Sequence, residues 1–80
     1  MLRRSFIDKD ALERELNGLA GNARVAVKLD PRARSAVHLV ERDSPGGELS
    51  YMVVINPSRI RGSRQLERHL EFLRSQLRLP

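Results

Sequence analysis

The sequence predicts an α+β fold, with two helices packed on one face of a three-stranded antiparallel meander. Two segments repeat leucine with helical spacing, and the three segments between them alternate apolar and polar residues with period two. The element order is therefore helix, strand, strand, strand, helix. With 80 residues, 40% of them hydrophobic and 31% charged, the chain is expected to fold as one small domain over residues 1–80.

The first helix is predicted over residues 8–20. Its apolar stripe recurs at spacings of four and three, at Leu12, Leu16 and Leu19. Asp8 or Asp10 can cap the first turn, and Gly18 and Gly21 end the helix. Glu13 and Glu15 fall outside the stripe, so we expect both on a solvated face.

Three strands are predicted next, over residues 24–29, 35–41 and 49–55. Asp30–Arg34 supplies the first turn and Asp43–Gly47 the second, and turns this short favour an antiparallel meander. The second strand is apolar on both faces, which favours a central position.

Alternation assigns each strand residue to one of two sheet faces. The face under the helices is predicted to carry Val25, Val27, Val37, Leu39, Tyr51 and Val53. The opposite face is predicted to carry Arg24, Lys28, His38, Ser50 and Met52. This second face is expected either to be solvated or to be covered by a partner.

The last helix is predicted over residues 63–77, after Asn56-Pro57 ends the third strand. Its leucine stripe is spaced four, three and four, at Leu66, Leu70, Leu73 and Leu77. Phe72 lies on the flank of this stripe and is predicted to join the core. Arg74 and Arg78 lie near the negative end of the helix dipole, and this favourable interaction explains their positions without a ligand.

Composition argues against several classes of protein. Without cysteine the chain has no disulfide, no thiolate nucleophile and no cysteine-based zinc site, and a reducing cytoplasm is the expected location. No apolar run approaches the roughly 18 residues of a membrane span. His69 is predicted to be a boundary residue, and His38 is predicted to lie at the surface or to face a partner. We therefore expect no catalytic residues, no metal, no cofactor and no enzymatic activity.

Positive charge is concentrated towards the C-terminus. The net charge is +5, and residues 59–80 contribute six basic against two acidic side chains, or +4. Arg59, Arg61 and Arg64 surround the predicted start of the last helix, where backbone N–H groups favour an anion. With Arg32 and Arg34 of the first turn, they form a candidate site for nucleic-acid phosphates. Arginine-rich composition by itself identifies no ligand.

Stacking on bases is not expected to contribute. The three aromatic residues, Phe6, Tyr51 and Phe72, are all predicted to pack against apolar neighbours.

The element order is similar to that of double-stranded RNA-binding domains, in which basic residues at the start of the final helix meet phosphates across a groove. Arg59, Arg61 and Arg64 occupy the matching place. The resemblance implies binding to duplex RNA through these residues. It is one of element order, because Gly62-Ser63-Arg64-Gln65-Leu66 stands where those domains carry a lysine-rich and alanine-rich segment. We assign the chain to no family on this basis.

A second function class uses the same features without nucleic acid. A short core, an open sheet face and an exposed edge strand would gain stability from a protein partner or from a second copy of the chain. The sequence thus leaves two hypotheses open: a module that binds the backbone of duplex RNA or DNA, and a protein-interaction or homodimerising domain.

Overall fold

The computed structural model describes residues 7–43, 46 and 49–78, and Phe6 lies outside this part of the chain. Two helices and three strands follow one another in the predicted order. They are α1 (Lys9–Ala20), β1 (Arg24–Leu29), β2 (Val37–Arg42), β3 (Ser50–Ile55) and α2 (Ser63–Leu77), with a 3-10 turn at Pro57–Arg59 before α2. The α+β class and the element order are therefore confirmed.

The ends of α1 follow from local chemistry. Asp8 is the N-cap, and its Oδ1 accepts a hydrogen bond from the Ala11 N–H at 3.2 Å. Gly21 follows the last turn with a φ of 70°, a backbone conformation that residues other than glycine rarely adopt. The helix is thus bounded by Asp8 and Gly21. Gly18, predicted to help end the helix, lies inside its last turn.

The predicted antiparallel meander is wrong, because the strand order is β1-β3-β2. β3 lies in the centre, parallel to β1 and antiparallel to β2. The central position suits β3 because Val53, Val54 and Ile55 are all buried, whereas β2 ends in the exposed pair Glu41 and Arg42.

The connection between β1 and β2 explains how this order arises. Residues 30–36 separate the two strands, which is longer than a tight hairpin turn. A connection of this length can cross the end of an intervening strand, since two strand spacings amount to roughly 10 Å. β2 also begins two residues later than predicted. The chain therefore passes over the end of β3, leaving the gap that β3 fills.

The predicted division between the two sheet faces is confirmed by the register. Val25 pairs with Tyr51, Val27 with Val53, and Leu39 also pairs with Val53, so these residues share one face. The leucine stripe of α2 packs on that face together with Leu12 and Leu16 of α1, whereas Leu19 is only half-buried and lies outside the cluster. The buried cluster comprises Ile7, Leu12, Leu16, Val25, Val27, Val53, Ile55, Ile60, Leu66, Leu70, Leu73 and Leu77, with Val37, Leu39 and Tyr51 partly buried against it.

The outer edge of β1 is closed by side chains of α1. Asn17 Oδ1 accepts from the Val25 N–H at 2.7 Å, and Asn17 Nδ2 donates to the Val25 carbonyl at 3.2 Å. Glu13 Oε2 accepts from the Val27 N–H at 3.2 Å. The expectation that Glu13 is simply solvated is wrong, because α1 lies close enough to β1 for this side chain to reach the strand edge.

Phe72 corrects another expectation. It is 64% exposed, while the four leucines of the α2 stripe are buried. Its place on the flank of the stripe turns the ring away from the centre of the sheet. None of the helices in the described ranges is long and apolar enough to cross a membrane.

Candidate nucleic-acid interface

Asn56 organises the end of the sheet where the predicted arginines lie. It follows β3 directly and is only 3% exposed. Its Nδ2 donates to the Ala33 carbonyl at 2.6 Å and to the Pro31 carbonyl at 3.2 Å. The residue thereby ties the β1–β2 connection to the end of the central strand.

The same side chain also shapes the turn before α2. Asn56 Oδ1 accepts from the Ser58 N–H at 2.9 Å and caps the 3-10 turn, in which Pro57 takes one of the first positions. Arg59 closes that turn, and its Nε donates to the Ala33 carbonyl at 3.3 Å. Arg59 is thus held beside the connection that carries Arg32 and Arg34.

Arg61 and Arg64 flank the start of α2. Gly62 is the N-cap in an extended conformation, and no side chain caps the first turn. The Arg61 N–H donates to Gln65 Oε1 at 2.7 Å, and this bond fixes the segment before α2 against the first turn of the helix. The first turn contains no acidic residue, so nothing in it offsets the positive end of the helix dipole.

We call the five arginines of this region the basic end, comprising Arg32, Arg34, Arg59, Arg61 and Arg64. All five are exposed. None of them forms an ion pair with a carboxylate anywhere in the described ranges. Asp30 lies in the same region, where its Oδ1 accepts from the backbone N–H of Arg32 at 2.9 Å. Arg59 uses its Nε for the Ala33 carbonyl, and the guanidinium groups of the other four arginines make no hydrogen bond to the residues that the structure describes.

Arg74 shows the contrasting, structural use of an arginine. It binds Glu15 of α1 at 2.8 Å and Glu67 of its own helix at 3.5 Å. The hydrogen bond to Glu15 raises the pKa of the guanidinium above its ordinary value and outweighs the lowering caused by partial burial. The pair joins the two helices, so Arg74 is assigned to the fold rather than to a ligand.

The two histidines lie apart from the basic end. His38 is on β2 with its Nδ1 buried and without a hydrogen-bond partner in the part of the chain that the structure describes. His69 is half-buried on α2. Across the same residues, no three His, Cys, Asp or Glu side chains come together in a way that could hold a metal ion.

The sequence interpretation identified the arginines but missed Asn56, which it treated only as the end of a strand. The available signal was an asparagine followed by proline directly after an apolar strand, a pattern typical of a side chain that bonds backbone two residues further on. The contacts to Pro31 and Ala33 carry no signal in the sequence, since they join positions more than twenty residues apart.

Comparison of the chain with models of protein families, with curated proteins and with solved structures finds no match. The likeness to double-stranded RNA-binding domains therefore stays a likeness of element order and of arginine placement.

Proposed function

We propose that this protein is a non-enzymatic module that binds the phosphate backbone of nucleic acid through its basic end. One observation carries the proposal: two arginine groups distant in sequence are joined through Asn56 and the Ala33 carbonyl. Their side chains are exposed and unpaired with carboxylates in the described ranges. A surface of this kind favours a ligand with several phosphates over a single small anion.

The chemistry of the basic end suits backbone contact rather than base recognition. Guanidinium groups bind phosphate oxygens in a bidentate manner, and the first turn of α2 adds backbone N–H groups. Neither aromatic residue of the described ranges belongs to this surface, because Tyr51 packs against the core and Phe72 lies along α2. We therefore propose duplex RNA or DNA as the ligand, bound without strong sequence preference. The proposal includes no cofactor, and the cytoplasm is its proposed place of action.

Fluorescence anisotropy tests this function. Labelled duplex RNA, duplex DNA and single-stranded DNA are titrated with protein at roughly 50 and 200 mM salt, the range over which backbone binding weakens steeply. We expect binding to one duplex type to persist at the higher salt. Replacing Arg59, Arg61 and Arg64 by Ala should lower its affinity at least tenfold and reduce the salt slope by about three, because roughly one counterion is released per phosphate contact.

A matched triple variant separates the basic end from net charge. Arg14, Arg42 and Arg78 are exposed and lie on α1, at the far end of β2 and after α2, so replacing them by Ala also lowers the net charge from +5 to +2. This control should bind like the wild type. Equal loss in both triple variants, or weak binding to all three ligands that vanishes with salt, would overturn the proposal.

A further inference from the structure

The two edges of the sheet differ in chemistry. In β2 the backbone N–H and carbonyl groups of the even-numbered residues point towards β3. The hydrogen bond from the Asn56 N–H to the Ala36 carbonyl, at 2.8 Å, fixes this alternation for the β2–β3 ladder. The backbone groups of Val37, Leu39 and Glu41 consequently point outward. No strand of the described ranges pairs with this edge, whereas the β1 edge is closed by Asn17 and Glu13. β2 is thus the edge open to strand addition.

A groove of mixed polarity runs alongside this open edge. It has a volume of about 280 Å³ and lies between β2 and α2. Its lining comprises Val37, His38, Leu39, His69, Phe72, Leu73 and Gln76. Phe72 is the most exposed of the large hydrophobic side chains in the described ranges, and it stands at this groove. An exposed phenylalanine beside an unpaired strand edge is typical of a protein interface.

We propose that the occupant of this edge is the β2 strand of a second copy of the chain, paired antiparallel about a two-fold axis at Leu39. This register places Leu39 opposite Leu39 of the other copy and Val37 opposite Glu41. The outward backbone groups of Val37, Leu39 and Glu41 in each copy then bond to those of the other copy, which gives roughly six hydrogen bonds between the copies. The result is one six-stranded sheet with four helices on a single face.

The same axis accounts for Phe72. Because Phe72 and Leu39 line one groove, a two-fold axis at Leu39 brings the grooves of the two copies together. Each Phe72 then packs against its counterpart and is withdrawn from water. The contact joins the apolar face of the new sheet to the helices above it.

Charge favours this antiparallel arrangement. Before β2, residues 30–36 carry Arg32 and Arg34 against Asp30, a net charge of +1, whereas residues 41–43 carry Glu41 and Asp43 against Arg42, a net charge of −1. Antiparallel pairing sets the basic side of each copy against the acidic side of the other and keeps the two basic ends apart. A parallel pairing would bring like charges together. This complementarity selects a second copy over an unrelated extended peptide.

Cross-linking tests the register. The chain has no cysteine, so a disulfide in a Leu39→Cys variant can form only between copies. The Cα atoms of a hydrogen-bonded antiparallel pair lie roughly 5.5 Å apart, which is within the range of a disulfide. Mild oxidation of nuclease-treated protein should give a covalent dimer of twice 9.1 kDa. Ser75→Cys, at an exposed position of α2 outside the groove, should give little covalent dimer under the same oxidation.

Light scattering coupled to size exclusion tests the interface without altering the strand. The wild type should show a dimer that dissociates on dilution, and Phe72→Glu should weaken dimerisation at least tenfold. Ser75→Glu adds the same charge to the same helix and should leave it unchanged. A wild-type mass of 9.1 kDa up to millimolar concentration, equal weakening by both variants, or no cross-link at Leu39→Cys would overturn the proposal. Both experiments use nuclease-treated protein, so their outcomes are independent of the proposed binding to the nucleic-acid backbone.

Discussion

Among single residues, Asn56 has the largest structural influence on the basic end. Its side chain makes three hydrogen bonds, two to carbonyls of the β1–β2 connection and one to the turn before α2. A buried amide that satisfies both of its functional groups contributes more than an exposed one, because its loss leaves backbone groups unpaired away from water. The position of Arg59 relative to Arg32 and Arg34 thus depends on one asparagine.

Asn56→Ala should lower the free energy of unfolding by about 2–3 kcal/mol, since the Pro31 carbonyl and the Ser58 N–H lose the bond to Asn56 and the Ala33 carbonyl keeps only the bond from Arg59. Urea unfolding followed by circular dichroism measures this change. The matched control is Asn22→Ala, because Asn22 is exposed in the turn after α1. Equal stability of the two variants would show that the Asn56 network is not required for folding.

Among the elements, α1 has a second role besides covering the sheet. Glu13 and Asn17 lie one turn apart on this helix, and both reach the outward backbone groups of β1. A strand edge with satisfied N–H groups no longer recruits another strand. This explains why the two sheet edges, although both outermost, are not equivalent.

Asn17→Ala should therefore accelerate amide hydrogen exchange at Val25, because its N–H loses the bond to Asn17 Oδ1. The neighbouring Ala26 amide faces β3 in the same ladder and serves as an internal control. Exchange measured by two-dimensional NMR should rise severalfold at Val25 and stay unchanged at Ala26. Unchanged exchange at both amides would contradict closure of the β1 edge by Asn17.

At the scale of the whole molecule, stability depends on a small core. Among the residues that the structure describes, the largest side chains essentially inaccessible to solvent are Leu16, Val53, Ile55 and Leu73. A domain of this size has a total stability of about 4–12 kcal/mol. Each fully buried leucine thus represents a large share of it.

Leu16→Ala should lower the free energy of unfolding by about 2–5 kcal/mol, the usual cost of removing a buried leucine and leaving a cavity. Denaturant titration at one fixed protein concentration gives this value. Leu49→Ala is the matched control, since Leu49 is 48% exposed and its cost should be well below 1 kcal/mol, the scale of surface substitutions. Similar losses in both variants would contradict the assignment of Leu16 to the centre of the core.

The sequence by itself determined the elements of this protein. The leucine spacings located both helices, alternation assigned the sheet faces, and the arginines of the candidate site were visible as charge around two turns. These features are local, because helix period, strand period and turn chemistry each depend on residues a few positions apart.

Only the tertiary structure decided the strand order, the Asn56 junction and the exposure of Phe72. β2 and β3 are both apolar enough for a central position, so their order depends on which faces the helices and neighbouring strands cover. The junction joins residues 31 and 33 to residue 56. The exposure of Phe72 depends on where α2 packs against β2, since Phe72 stands at the groove between them. Each of these outcomes follows from contacts between distant segments, and such contacts leave no period in the sequence.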